Sequence, residues 1–306
     1  MIVVIGSINQ DVLFKLSRMP HKGETFLADD FLMSGGGKGA NQAVQCAKLG
    51  AETHMVGRIG MDNFGEGLVL KLGEYGVDIS HISRSEKAHT GIASMQILPD
   101  GSVYLTLSNG ANYDWSPDHV EAADALLQAA KIVVLQMEIP IPVVEAAVLR
   151  AKKHGCWVLL NAAPAQPIDA GVLKLVDCLV VNELEAGFYA GAEIRCVESG
   201  KNHAAKLRSM VGGDVVITLG EQGSLLCEET GCSHFAADTS VRAVDTTGAG
   251  DSYVGALAAK MLAGADLKEA CLFASRVSAV TVTRLGVQVG MPTLSDLEAP
   301  EMDGPV

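Results

Sequence analysis

Short β-branched runs alternate with longer helical patterns along most of this chain, and that alternation restricts the fold more than any other feature. "IVVIG" at 2–6, "THMVGRIG" at 53–60, "KIVVLQ" at 131–136, "WVLLN" at 157–161, "CLVVN" at 178–182 and "VVITLG" at 215–220 read as strands. The stretches 39–49, 63–75, 141–154, 183–191, 200–211, 250–263 and 266–283 read as helices. Strands that are apolar throughout are buried on both faces, so helices must lie above and below them. The expected fold class is α/β, a central mostly parallel sheet with helices on both faces. Two segments break the rhythm. Residues 11–34 and 90–108 alternate polar and apolar residues around turn signals such as Pro99-Asp100-Gly101. They read as antiparallel strands inserted into the α/β core, a small sheet able to cover a site at the carboxyl ends of the main strands.

The 306 residues carry a formal net charge of -13, and no dense Lys/Arg run offsets it. Nucleic acid and anionic membrane surfaces are therefore excluded as expected partners. No apolar run approaches the ~20 residues that a transmembrane helix needs. "MIVVIGSI" at the start has no basic stretch before it and is followed by Asp11, so it reads as a buried first strand rather than a signal peptide. Seven scattered cysteines, an odd number, suit reduced thiols in a cytoplasmic protein. Cys227 and Cys232 lie near His234, but a zinc site wants tighter pairs and four ligands.

Glycine-containing loops carry the chemistry, and none is a P-loop or a dinucleotide fingerprint. In "AVDTTGAGDS" at 243–252, a helix starting near Ala249 leaves the N–H groups of Gly248, Ala249 and Gly250 without intrahelical partners, at the positive end of the helix dipole. Such a turn binds an anion, and Asp251 beside it suits a general base for a hydroxyl attacking phosphorus. The same residues also read as a tight turn with a first-turn acid. Asn9 and Asp11, two apart on an extended segment, face the same way and can share a polyhydroxylated ligand, or serve as turn residues. "SGGGKGANQA" at 34–43 brings glycines, Lys38 and Asn41 to a helix start, as a hinge, a ligand contact or an exposed loop. In "VVNELEAGF", Asn182 and Glu185 have capping-box spacing, and their oxygens equally suit hydrated Mg²⁺. "ITLGEQGSLL" at 217–226 is either a plain hairpin or a glycine turn with room for a flat ligand. Glu138 in "LQMEIP" ends another strand.

In this order these pieces resemble the ribokinase (PfkB-type) family of sugar and nucleoside kinases, from "GSINQD" to "TRLGVQVGMPT". "GGGKGANQA" looks like that family's N-terminal signature and "VDTTGAGDSYVGAL" like its C-terminal one. The resemblance implies one kinase domain over 1–306 with lid strands inserted at about 11–34 and 90–108. It implies that Asp251 is the catalytic base, with Gly248, Ala249 and Gly250 as the anion hole. Asn9, Asp11, Gly37, Lys38, Asn41 and Glu138, together with Asp251, match the sugar-holding positions. Asn182, Glu185, Thr218, Leu219, Gly220, Glu221, Gln222, Gly223, Gly250 and Ser275 match the ATP and Mg²⁺ region. A monovalent cation, usually K⁺, would be held by Asp245 and backbone carbonyls of Thr247, Thr281, Arg284 and Gly286. Gly290 stands where a serine is common near that cation, and Ser275 where a larger Asn or His often packs against adenine.

The activity that this resemblance implies is ATP-dependent transfer of the γ-phosphoryl group to O5 of D-ribose. The alternatives are a related kinase for deoxyribose, another sugar or a nucleoside, and a non-catalytic sugar-binding regulator. The edges and apolar faces of a small lid sheet further suggest a homodimer formed through it.

Overall fold

The computed structural model describes residues 1–298. Its strands are β1 (Ile2–Ile5), β2 (Asn9–Lys15), β3 (Asp30–Gly36), β4 (Thr53–Gly60), β5 (Asp78–Ser85), β6 (Gly91–Ile97), β7 (Val103–Ser108), β8 (Ile132–Gln136), β9 (Trp157–Asn161), β10 (Cys178–Val181), β11 (Asp214–Thr218), β12 (Ser224–Glu228) and β13 (Gly231–Phe235). The helices are α1 (Lys38–Lys48), α2 (Asn63–Glu74), α3 (Pro117–Glu121), α4 (Asp124–Ala129), α5 (Ile141–Lys153), α6 (Ala170–Leu173), α7 (Glu183–Ala190), α8 (Val197–Arg208), α9 (Ala249–Leu262), α10 (Leu267–Val282), α11 (Val287–Gly290) and α12 (Leu294–Glu298).

Nine strands form one sheet in the order β13-β12-β11-β10-β9-β8-β1-β4-β5, parallel from β11 to β5 and closed at the other side by the β12–β13 hairpin. Strand alternation splits the core in two. Val3 and Ile5 of β1 enter the layer beneath α3 to α8, while Ile2 and Val4 enter the layer beneath α1, α2, α9, α10 and α11. All four are fully buried, each worth about 1.5–3 kcal/mol relative to exposure. The winding reverses between β1 and β8, and the carboxyl ends of those strands flank the crevice where open α/β sheets bind ligands.

The small sheet has the order β3-β2-β6-β7. Its outer pairs, β2–β3 and β6–β7, are antiparallel as expected, but the central pair β2–β6 is parallel. The cause is topological: β2 continues from β1 and β6 from β5, both strands of one parallel sheet, so the two leave it in the same direction. The first exit is pinned. Asn112 Oδ1 accepts from Ile8 N–H at 2.9 Å, and Asn112 Nδ2 donates to Ile8 O at 3.1 Å and Asn9 Oδ1 at 2.7 Å.

Strands β5 and β13 and the short helix α3 carry too few apolar residues in period to stand out in sequence, whereas β12 is the second strand of the hairpin read at 217–226. The β5 sequence "DISHISRS" is an edge strand with mostly polar residues. None of the described helices is long and apolar enough to cross a membrane.

Candidate active site

Asp251 lies in the first turn of α9 and is only 7% exposed. Its Oδ2 accepts from Asn41 Nδ2 at 2.9 Å and its Oδ1 from Gln42 Nε2 at 3.0 Å, both near the start of α1. Those amides are themselves oriented. Gln136 Nε2 donates to Gln42 Oε1 at 2.6 Å, Gln42 Nε2 also donates to Asn161 Oδ1 at 3.1 Å, and Gln288 Nε2 donates to Asn41 Oδ1 at 3.0 Å. The two amides that meet Asp251 therefore have both ends fixed, and the carboxylate is held in one orientation.

Ahead of it, Gly248 caps α9 with φ +82°, a left-handed conformation that glycine adopts without strain. The N–H groups of Gly248 and Gly250 donate to nothing among the described residues. The expected third free amide is not free: Ala249 N–H bonds Thr246 O at 3.3 Å, because the turn closes on itself before the helix begins. The pocket thus offers two amides at a helix N-terminus rather than three.

The sugar-matching residues converge from three elements. Glu138 Oε2 accepts from Ser7 Oγ at 2.6 Å and from Lys38 N–H at 3.1 Å, which ties β8's end to β1's end and to the start of α1. Gly37 (φ +87°) lies against the backbone, where a Cβ would fall 2.8 Å from Asn9 N and Ser7 O. Only glycine permits that approach. Asn9 and Asp11 are both buried on β2. Burial, then the neighbouring charges of Glu138 and Asp251, push the Asp11 carboxyl up to about 7. Burial acts to lower the Lys38 ammonium, yet the carboxylates of Asp251, Glu138 and Glu185 outweigh it and leave Lys38 above its usual value. A half-buried cation surrounded by acids, beside a carboxyl that titrates near neutrality, suits a polyhydroxylated ligand better than an apolar one.

On the nucleotide side, Asn182 and Glu185 form the capping box of α7: Asn182 N–H donates to Glu185 Oε2 at 2.8 Å and Glu185 N–H to Asn182 Oδ1 at 2.9 Å. The structural reading of that spacing is realised, and Glu185 Oε1 has no protein partner among the described residues. Burial, opposed by the Asn182 N–H and the Lys38 ammonium, raises the Glu185 carboxyl. A partly hydrated Mg²⁺ fits that oxygen. Residues 218–223 connect β11 to β12 as a hairpin with a 3₁₀ turn over Gly220–Gln222. Thr218 Oγ1 reaches Val181 O at 3.4 Å and Leu219 is buried, whereas Glu221 is exposed. Gln222 turns away from the crevice, its Nε2 bonding Arg195 O at 3.0 Å and its Oε1 accepting from Val197 N–H at 3.3 Å. The polar side chain serves the entry to α8 and is withdrawn from the nucleotide group. Ser275 Oγ on α10 is enclosed with no hydrogen-bond partner.

Asp245 secures the loop ahead of α9 directly. Its Oδ1 accepts from Thr247 N–H at 2.9 Å and its Oδ2 from Gly286 N–H at 3.1 Å. A Cβ on Gly290 would sit 3.4 Å from Arg284 O, so Asp245, Arg284, Gly286 and position 290 do share one corner, and Thr281 O accepts from Arg284 N–H there. Gln42, Gln136, Asn161, Gln288, Ser7 and Asn112 were not singled out by sequence reasoning. Gln136 and Asn161 had a signal, since each is a polar residue closing an otherwise apolar parallel strand at its ligand end.

A doubly wound sheet, a covering sheet at its switch point, and a buried carboxylate beside a helix N-terminus fit an enzyme that moves a phosphoryl group onto a hydroxyl. The model of the "pfkB family carbohydrate kinase" matches residues 1–294, and the chain belongs to that family. It is 35% identical to a ribokinase of Schizosaccharomyces pombe, over 97% of this chain and 96% of the relative. It is 32% identical to a deoxyribokinase of Salmonella typhi, over 96% of each. The structure of Arabidopsis thaliana ribokinase complexed with ribose and ATP superposes with a TM-score of 0.90 at 32% identity, covering 97% of both chains. The chain is thus a kinase of sugar hydroxyls that uses ATP.

Proposed function

We propose that the chain transfers the γ-phosphoryl group of ATP to O5 of D-ribose, with Asp251 as the base. The observation that carries this reading is the buried Asp251 carboxylate, fixed by two amides and adjacent to the free N–H groups of Gly248 and Gly250. Asn9, Asp11, Gly37, Lys38, Asn41 and Glu138 hold the sugar so that its primary hydroxyl meets Asp251. Asn41 shifts its amide from Asp251 to the sugar on binding, and Gln42 retains the carboxylate's orientation. Asp251 takes the hydroxyl proton as oxygen attacks phosphorus in line, while Gly248 and Gly250, with Ala249 completing the turn, receive charge on the phosphoryl oxygens. Glu185 and Asn182 hold Mg²⁺, which neutralises phosphate charge when bound. Thr218 to Glu221, Gly223 and Ser275 border the base and ribose of ATP, with the Gln222 side chain withdrawn toward α8.

Asp245, with carbonyls of Thr247, Thr281, Arg284 and Gly286, holds K⁺ behind the anion turn, and Gly290 offers no hydroxyl to it. The whole of 1–306 acts as one kinase domain, its small sheet serving as a lid that excludes water. Phe31, Leu32, Val103, Leu105 and Leu107 of that sheet are exposed, which supports a homodimer formed through it. The free thiols of all seven cysteines accord with the cytoplasm.

A second reading, deoxyribose as acceptor, is favoured by the likeness to the deoxyribokinase. A panel of sugars and nucleosides with Mg²⁺ and ATP, read by ADP release, tests both. Ribose is expected to give the highest kcat/KM, and Asp251→Asn to lower kcat about 10²–10⁴-fold. A better acceptor, or near-normal turnover in Asp251→Asn, refutes the assignment.

A further inference from the structure

At the edge of the main sheet three potential metal ligands share one face. His54 on β4, Asp78 and His81 on β5 each offer a ligand atom, and these atoms lie within 4.8 Å of one another. In a regular strand Asp78 and His81, three apart, would point to opposite faces. The register shows why they do not. His54 pairs with Asp78 and Val56 with His81, so two residues of β5 (Ile79 and Ser80) oppose Met55 alone in a β-bulge. The extra residue turns His81 onto the face of His54 and Asp78.

Two further observations concern His54. Its Nδ1 is enclosed and has no hydrogen-bond partner, although Asp78 Oδ1 lies 3.5 Å away. Its other ring nitrogen, Nε2, faces Glu52 Oε1 at 3.5 Å. At that distance the Glu52 carboxylate is an electrostatic neighbour of Nε2, on the side of the ring away from Asp78. Ser80 bonds Asp78 Oδ1 through both its N–H and its hydroxyl, at 3.0 and 2.5 Å, which holds the carboxyl below its usual value and keeps it ionised. His81 lines a groove of about 210 Å³, Asp78 is exposed and both histidines are partly so, which leaves the cluster within reach of solvent.

We propose that His54 Nδ1, Asp78 and His81 bind one divalent first-row transition ion, with water completing the shell. Two imidazoles and one carboxylate are a borderline donor set that favours Zn²⁺ over Mg²⁺. The ion would clamp edge strand β5 to β4 across the bulge.

Chelator-stripped protein titrated with ZnCl₂ by calorimetry, and with CoCl₂ by visible absorption, tests this. Binding of one ion per chain is expected, with the intense d–d bands of a low-coordinate Co²⁺ site. His81→Ala and His54→Gln are each expected to weaken binding by at least about tenfold. Unchanged kinase turnover in His81→Ala shows that the variant is folded. No saturable binding to the wild type, or equal binding in both histidine variants, overturns the proposal. So does loss of binding in Cys232→Ser with retention in His81→Ala, which would assign the ion to the cysteine hairpin.

Discussion

Asp11 is a carboxyl whose burial should weaken the fold in a pH-dependent way. In the folded chain it titrates at about 7, raised by burial and by Glu138 and Asp251, and in the unfolded chain near 3.8. Between those values the native state keeps a proton that the unfolded chain has released, so stability falls as pH rises from about 4 to about 7 and stays lowered above that. The interval spans roughly three decades at about 1.4 kcal/mol each, an effect on the order of 4 kcal/mol. Asp11→Asn removes the ionisation while keeping the shape. With an unfolding entropy of about 2.1 cal/mol/K per residue, 306 residues convert about 4 kcal/mol into a rise in Tm of about 6 °C. Thermal unfolding of wild type and variant at pH 4 and pH 8 measures it: little difference at pH 4, a more stable variant at pH 8. A variant equally or less stable at pH 8, or an advantage that does not change with pH, refutes the reasoning. The same variant is expected to lose about 10–100-fold in kcat/KM for the sugar, since a charged hydrogen-bond acceptor is gone.

The amide chain around Asp251 gives another test. Gln42→Leu leaves Asp251 Oδ1, Gln136 and Asn161 each one partner short, and is expected to cost about 1–3 kcal/mol in urea unfolding. With the base no longer aligned, kcat falls about 10–100-fold while KM for ATP changes little, as steady-state kinetics would show. Gly39→Ala places a Cβ 2.7 Å from the backbone of Gly6 and Ser7. That clash should push the start of α1 off β1, costing about 1–3 kcal/mol by the same unfolding assay and most of the sugar turnover.

The parallel core was legible because β1 and β10 are apolar at every position and β8 at all but its last, a pattern that only burial on both faces explains. The small sheet was legible as strands but not in its pairing, since direction depends on which core strand each one continues. Asp251, Lys38 and Glu138 stood out by residue type beside glycine turns or at a strand end. Gln42 and Gln288 did not: an amide inside or just after a helical pattern looks the same whether it faces solvent or a buried polar partner, and only the packing of α1 against α9 and α11 separates the two. The His54–Asp78–His81 group was equally hidden, because a one-residue bulge changes which side chains share a face and leaves no mark in composition.

The clasp of Asn112 on Ile8 and Asn9 ties the small sheet to the main one at the root of β2. Rotation about that point moves Asn9 least and sweeps the far ends of β3 and β7 the furthest. The end of β2 that carries Asn9 and Asp11 would therefore keep its place relative to Asp251 while the distal edge moved. A lid anchored this way would open an entrance without disturbing the geometry at its pivot.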